Sequence, residues 1–218
     1  MKRCARIGIT GKLGTGKSVL IRLMEERGYT VLRTDELARE IMERDAALRK
    51  KLIEILGPQT YNGEKLDRCF VASRVFEDNT LLKKVEAVVH PAVTKEVEKV
   101  CALQAGGAVA VESALVLRTR FREIFDYIVL VESPDAASIE RVIKEGRLSA
   151  ADAKARLREQ DISEEDRAEA DLILENDGLK EAFELKCQTM IDILDAIATR
   201  ELPEEPLHAK IKEDNNKK

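Results

Sequence analysis

The sequence predicts an α/β fold: a parallel five-stranded sheet flanked by helices, with one helical insertion and a helical lid. Three observations predict it. Short β-branched, apolar runs alternate with helical stripes at both ends of the chain. A glycine-rich loop joins the first run to the first stripe. Between residues 36 and 99 no convincing strand occurs.

Residues 6–10 (RIGIT) read as a short buried strand, on which Gly8 only packs. Residues 18–27 read as a helix, with Leu20, Leu23 and Met24 as its stripe and Gly28 as its stop. Residues 29–32 (YTVL) make a second strand. Leu37, Ile41, Leu48, Leu52 and Leu56 then keep helical spacing until Gly57-Pro58, and Asn62-Gly63 marks a turn. Leu81, Leu82, Val85, Val88 and Val89 form another stripe, and Val93, Val97, Val100 and Cys101 a further one. Strands return at 108–111, 127–131 and 172–174. Ser133 and Pro134 are placed to cap and open the helix that follows. Ser149 with Asp152, and Ser163 with Asp166, resemble capping boxes and mark a two-helix lid. Leu179, Phe183, Met190, Leu194 and Ile197 mark a closing helix.

One domain over 1–202 follows, with its core at 1–36 and 104–202, a helical insertion at 37–103, a lid at about 140–168 and a flexible tail at 203–218. With 37 basic and 41 acidic residues the net charge is −4, so no general nucleic-acid surface is expected. No apolar run is long enough for a membrane span. Cys4, Cys69, Cys101 and Cys187 form no C-x-x-C pair, which argues against a zinc site or a disulfide framework. A reducing cytoplasmic location is the expectation.

Gly11-Lys12-Leu13-Gly14-Thr15-Gly16-Lys17-Ser18 fits G-x-x-x-x-G-K-[ST]. Glycines permit positive φ and let the backbone approach an anion without a Cβ. Successive N–H groups then converge on one phosphate, helped by the following helix N-terminus. Lys17 can bridge the outer phosphates, and the Ser18 hydroxyl suits Mg²⁺. The alternative is a turn that merely joins strand to helix. Strand, loop, Lys-Ser and helix in the required order favour a nucleoside triphosphate site. A GTPase would need an N-K-x-D base reader, which is absent. A compact sheet with an insertion and a polar lid suits a P-loop kinase that closes over two substrates.

Further motifs follow in order: TDELARE at 34–40, NGEKLDR at 62–68, RVF at 74–76, LLKKVEAVVHP at 81–91 and ADLILENDG at 170–178. With the loop, they make residues 5–195 resemble the dephospho-coenzyme A kinase family. The resemblance implies ATP-dependent phosphorylation of the ribose 3′-hydroxyl of dephospho-coenzyme A, with Mg²⁺. It makes Asp35 the proton acceptor and Lys17 the catalytic lysine; read alone, Asp35 is equally a helix N-cap. It places Gly11, Leu13, Gly14, Thr15, Gly16, Lys17, Ser18 and Val19 on the nucleotide, with Arg141 as a clamp. Asn176 would lie near the adenine, its alternative being a turn role. Arg68, Arg74, His90, Pro91 and Glu112 would meet the acceptor, and Ser18 and Glu112 the metal. Surface ion pairing is the alternative for Arg68 and Arg74, a capping or packing role for His90, and an ordinary strand-end acid for Glu112. Pro91 would open a helix.

The chain departs from the family pattern in places. Arg33-Thr34-Asp35 stands for Asp-Ala-Asp, and Glu112-Ser113-Ala114-Leu115-Val116 for Asp-x-Pro-Leu-Leu. Arg118 replaces an acid, Val19 a threonine, and Ser163 an arginine beyond Gln160; another arginine is displaced to Lys144 or Arg147. Two other readings stay open: a P-loop kinase of a different small acceptor, and a nucleotide-binding regulatory protein without transfer.

Overall fold

The computed structural model describes residues 3–104, 106–114, 116–117, 120–146, 148–198, 206 and 208. Leu115, Arg118 and Arg147, named above, lie outside them, as does most of 203–218. The chain divides into two compact units: Met1–Leu32 with Cys101–Lys218, and Arg33–Val100.

The first unit carries the sheet. Strands β1 (Ala5–Thr10), β2 (Thr30–Arg33), β5 (Ala108–Glu112), β6 (Tyr127–Glu132) and β7 (Leu172–Glu175) stand in the order β2-β5-β1-β6-β7. The β1–β5, β1–β6 and β6–β7 ladders are parallel. These strands lack polar alternation because both faces are covered, as parallel sheets require. Val109, Ile128, Val129, Leu130 and Val131 are wholly buried. Helices α1 (Lys17–Glu26) and α9 (Lys180–Ala198) pack together, and Leu20, Ile21 and Met24 meet Phe183, Cys187 and Leu194 over Ile7 and Ile9. Burial pushes the Cys187 thiol up to about 12 and that of Cys101 to about 11, so both are inert core groups. The lid side holds α6 (Asp135–Lys144), α7 (Ala150–Glu159) and α8 (Glu164–Ala168).

Several local expectations are corrected here. Ser133 is not the cap of α6; Pro134 holds that position with no side-chain bond, and the Ser133 hydroxyl accepts from Arg141 instead. The Ser163–Asp166 capping box is complete, and Ser149 accepts the Asp152 N–H. The tail is not loose at His208: that residue is buried, its imidazole lies 2.8 Å from Asp171, and its N–H donates to the Phe125 carbonyl.

The second unit is helical, with α2 (Thr34–Arg44), α3 (Ala46–Leu56), α4 (Arg68–Glu77) and most of α5 (Asn79–Leu103). The single run expected over 37–56 breaks at Asp45, which closes α2 and caps α3 by accepting the Ala47 and Leu48 N–H groups. Two short strands, β3 (Tyr61–Asn62) and β4 (Lys65–Leu66), pair antiparallel about the turn at Gly63, where only a turn was expected. The Arg49 guanidinium holds that turn by donating to the Gly63 carbonyl at 2.8 Å and lying over the Tyr61 ring. Pro91 does not open a helix; it sits inside α5. Val85, Val89, Val93, Val97 and Cys101 are buried at steps of four across it, so one continuous apolar stripe outweighs the missing proline N–H.

Candidate active site

Parallel strands bring their carboxyl ends to one edge of the sheet, the usual place for a ligand crevice. At that edge β1 runs into Gly11, β6 into Ser133 and β7 into Asn176. The β1–β5 register sets Glu112 opposite Ile9, two residues before the loop.

The loop curls because three glycines take positive φ: Gly11 at 146°, Gly14 at 73° and Gly16 at 104°. Their nearest obstacles are protein. A Cβ at Gly11 would strike the Val131 carbonyl, one at Gly14 the Ser138 carbonyl, and one at Gly16 Asn176 and Phe183. A Cβ at Gly8, on β1, would press on Phe125 and Val116. The glycines therefore let the loop lie flat on its scaffold before any phosphate is considered.

Polar side chains then brace the loop. The Lys17 ammonium donates to the Gly11 carbonyl at 2.7 Å and to that of Lys12 at 2.8 Å. The buried Thr15 hydroxyl donates to the Lys12 carbonyl at 3.0 Å. Buried Asn176 donates its amide to the Thr15 carbonyl at 2.9 Å. Arg141 donates to the Gly14 carbonyl, the Ser133 hydroxyl and the Asn176 carbonyl at 2.8–3.1 Å. Arg141 and Asn176 thus sit at the loop, and each binds its backbone; Asn176 serves as more than a turn residue.

From the lid, Gln160 accepts the Leu13 N–H at 2.7 Å. The Lys12 ammonium lies 3.2 Å from Asp161 and 3.4 Å from Asp135. Burial opposes its charge, and the two carboxylates outweigh that, holding Lys12 above its usual value. Helix α1 opens at Gly16 with no side-chain cap and no acid in its first turn, which keeps its N-terminus electropositive. Ser18 is exposed there. The Val19 N–H donates to the Gly16 carbonyl, and its side chain packs on the core.

Beside the loop lies a cavity of about 450 Å³, lined by Thr15, Glu132, Pro134, Ile162, Arg167 and Asn176 among others. Arg167 reaches both Glu132 oxygens at 3.1 Å. Gln160, Asp161 and Arg167 are contributors that sequence reading passed over. The Ser163–Asp166 box marks where α8 starts but not which lid residues reach the loop.

The remaining candidates lie in the second unit. Asp35 is exposed in the first turn of α2, whose N-cap is Arg33, so the N-cap reading of Asp35 does not hold. Among the described residues its carboxylate makes no hydrogen bond or ion pair. Arg68 and Arg74 are exposed on α4, also without ion pairs among the described residues, so surface pairing does not account for them. His90 is half-buried within α5, next to exposed Pro91, and its carbonyl accepts from the Thr94 hydroxyl. No cluster of three or more His, Cys, Asp or Glu suited to a metal occurs among the described residues. None of the described helices is long and apolar enough to cross a membrane.

Comparison with known proteins adds a family. A family model described as dephospho-CoA kinase matches residues 5–181. The dephospho-CoA kinase of Deinococcus radiodurans is 35% identical over 182 residues, covering 82% of this chain and 87% of that one. A crystal structure from Thermus thermophilus superposes with a TM-score of 0.75 at 32% identity, covering 88% of this chain and 99% of the other. The dephospho-CoA kinase of Campylobacter jejuni shares the fold, with a TM-score of 0.62 at 22% identity over 88% of this chain and 97% of its own.

Proposed function

The chain belongs to the dephospho-CoA kinase family, and we propose that it transfers the γ-phosphoryl group of ATP to the ribose 3′-hydroxyl of dephospho-CoA. The products are CoA and ADP. The observation that carries this reading is the built phosphate loop: three positive-φ glycines, an uncapped helix N-terminus and Lys17 lying along the loop backbone.

Phosphoryl transfer asks the protein for alignment, charge neutralisation and a proton acceptor. The loop N–H groups and Lys17 bind the β- and γ-phosphates and stabilise charge as the bond from Pγ to the β–γ bridging oxygen breaks. A new bond forms from the ribose O3′ to Pγ. Asp35 takes the hydroxyl proton; its exposed, uncommitted carboxylate supports this assignment. Arg68, Arg74, His90 and Pro91 hold the acceptor. Arg141 and Asn176 act at the nucleotide by keeping the loop in shape.

Mg²⁺ fits the donor set. A preformed cage of three or more acids is absent among the described residues, and Mg²⁺ on a triphosphate needs few protein ligands. Ser18 would supply a hydroxyl oxygen and Glu112 would act through water, and the ion would neutralise phosphate charge. ATP and dephospho-CoA are the partners, and the four unpaired thiols accord with a reducing cytoplasm.

The test is turnover of the purified protein with Mg-ATP. ADP release with dephospho-CoA, and none with nucleosides or nucleoside monophosphates, is expected. Turnover with one of those acceptors and not with dephospho-CoA would replace the acceptor assignment.

A further inference from the structure

We propose that Gln160 is a positioning residue for the phosphate loop, fastening the lid to the loop's apex with help from Asp161. This rests on the reading of the loop as an ATP site. Two adjacent lid residues meet two adjacent loop residues: Gln160 accepts the Leu13 N–H, and Asp161 pairs with Lys12. The two contacts are unequal. Asp161 is 78% exposed, so its ion pair contributes little. The Gln160 bond is 2.7 Å long and partly buried, and losing its acceptor would leave a backbone N–H unsatisfied.

The segment that makes these contacts is short and anchored at both ends. Gln160 closes α7, its own N–H donating to the Arg156 carbonyl. Ser163 opens α8 with the capping box. Between them, Ile162 lines the cavity beside the loop. The other braces on the loop, Arg141 and Asn176, are donors that hold carbonyls of Gly14 and Thr15. Gln160 does the complementary task of accepting from the apex. The loop backbone is thus held by donors from α6 and from the end of β7, and by an acceptor from the end of α7.

Ordering a loop before its ligand arrives reduces the entropy lost on binding. Without Gln160 the Leu13 N–H has no acceptor, and the remaining braces, which hold the Lys12 and Gly14 carbonyls, leave the apex less ordered until the triphosphate binds. The cost then falls on ATP binding, while the bound loop still reaches its working shape and kcat changes little.

The decisive variant is Gln160→Met, which keeps chain length and bulk and lacks the amide oxygen. Steady-state kinetics should show KM for ATP raised about tenfold, the size of one lost amide hydrogen bond, with kcat and KM for dephospho-CoA within twofold. Amide hydrogen exchange on the free protein should speed up at residues 11–16. Gln160→Asn, one methylene too short, should act the same way and serves if Gln160→Met does not fold. Unchanged KM for ATP with unchanged exchange in a folded variant overturns the proposal. So does a joint fall in kcat and in both affinities, which would mean general damage. Because the exchange measurement needs no nucleotide, it still decides the clasp if the wild-type protein proves not to bind ATP, a result that would overturn the ATP reading instead.

Discussion

At the scale of single residues the proposed chemistry assigns roles to Lys17, lying along the loop backbone, and to Asp35, exposed in the first turn of α2. Asp35 caps nothing and pairs with nothing among the described residues, so a change there should separate catalysis from folding. Asp35→Asn is expected to lower kcat by about 10²–10⁴, the usual worth of a positioned base, and to leave ATP affinity within twofold. Melting should shift little, because an exposed first-turn acid contributes about 0.3–1 kcal/mol to its helix. A kcat loss under threefold, measured by coupled ADP release, would sink the assignment. That a glycine loop joins β1 to α1 was legible from the spacing of Gly11, Gly14, Gly16, Lys17 and Ser18. Why the glycines are needed was not, because the Val131 and Ser138 carbonyls and Asn176 that crowd them lie far away in sequence. Gln160 was illegible for the same reason: 147 positions separate it from Leu13.

At the scale of elements, α5 is the informative case. It runs from Asn79 to Leu103 through Pro91. The rule that proline opens helices pointed to a boundary, yet the buried steps from Val85 to Cys101 cross it without a break. That stripe was visible in the sequence, and its continuity was the better guide, since packing of an apolar face outweighs one local propensity. The β3–β4 hairpin went unread because strands of two residues carry no periodicity; only its turn did. The break at Asp45 is a cap inside an otherwise regular stripe. Since Pro91 is exposed in a helix interior, Pro91→Ala should restore a donor to the Ala87 carbonyl and remove a ring clash. Stability is expected to rise by about 1–3 kcal/mol, read as an upward shift in the urea midpoint. If Pro91 also shapes the acceptor site, KM for dephospho-CoA rises in the same variant while KM for ATP stays put. A loss of stability would show that the packing of α5 has adapted to the proline.

At the scale of the whole sheet, function and anchorage occupy opposite edges. The loop and its braces gather at the carboxyl ends of β1, β6 and β7, whereas the amino ends are tied by a separate polar set. Buried Asp126 accepts from the Arg3 guanidinium at 2.9 and 2.5 Å and from the Arg6 N–H at 2.8 Å. Asp171, just before β7, accepts the Ile128 N–H at 2.7 Å and meets the His208 imidazole at 2.8 Å. Six-residue strands such as β1 and β6 span about 20 Å, so this edge lies well away from the loop. His208→Ala removes the imidazole contact but leaves Asp171 its backbone partner, which keeps the carboxylate from being stranded. The expected loss is about 1–2 kcal/mol, or roughly 2–8 °C in Tm for a domain of this size. Because the contact joins the tail to the sheet's amino edge, kcat and both KM values should match the wild type below the transition. An unchanged Tm would mean that His208 adds nothing to the fold, and a changed KM for ATP would mean that the two edges are coupled through β6 and β7.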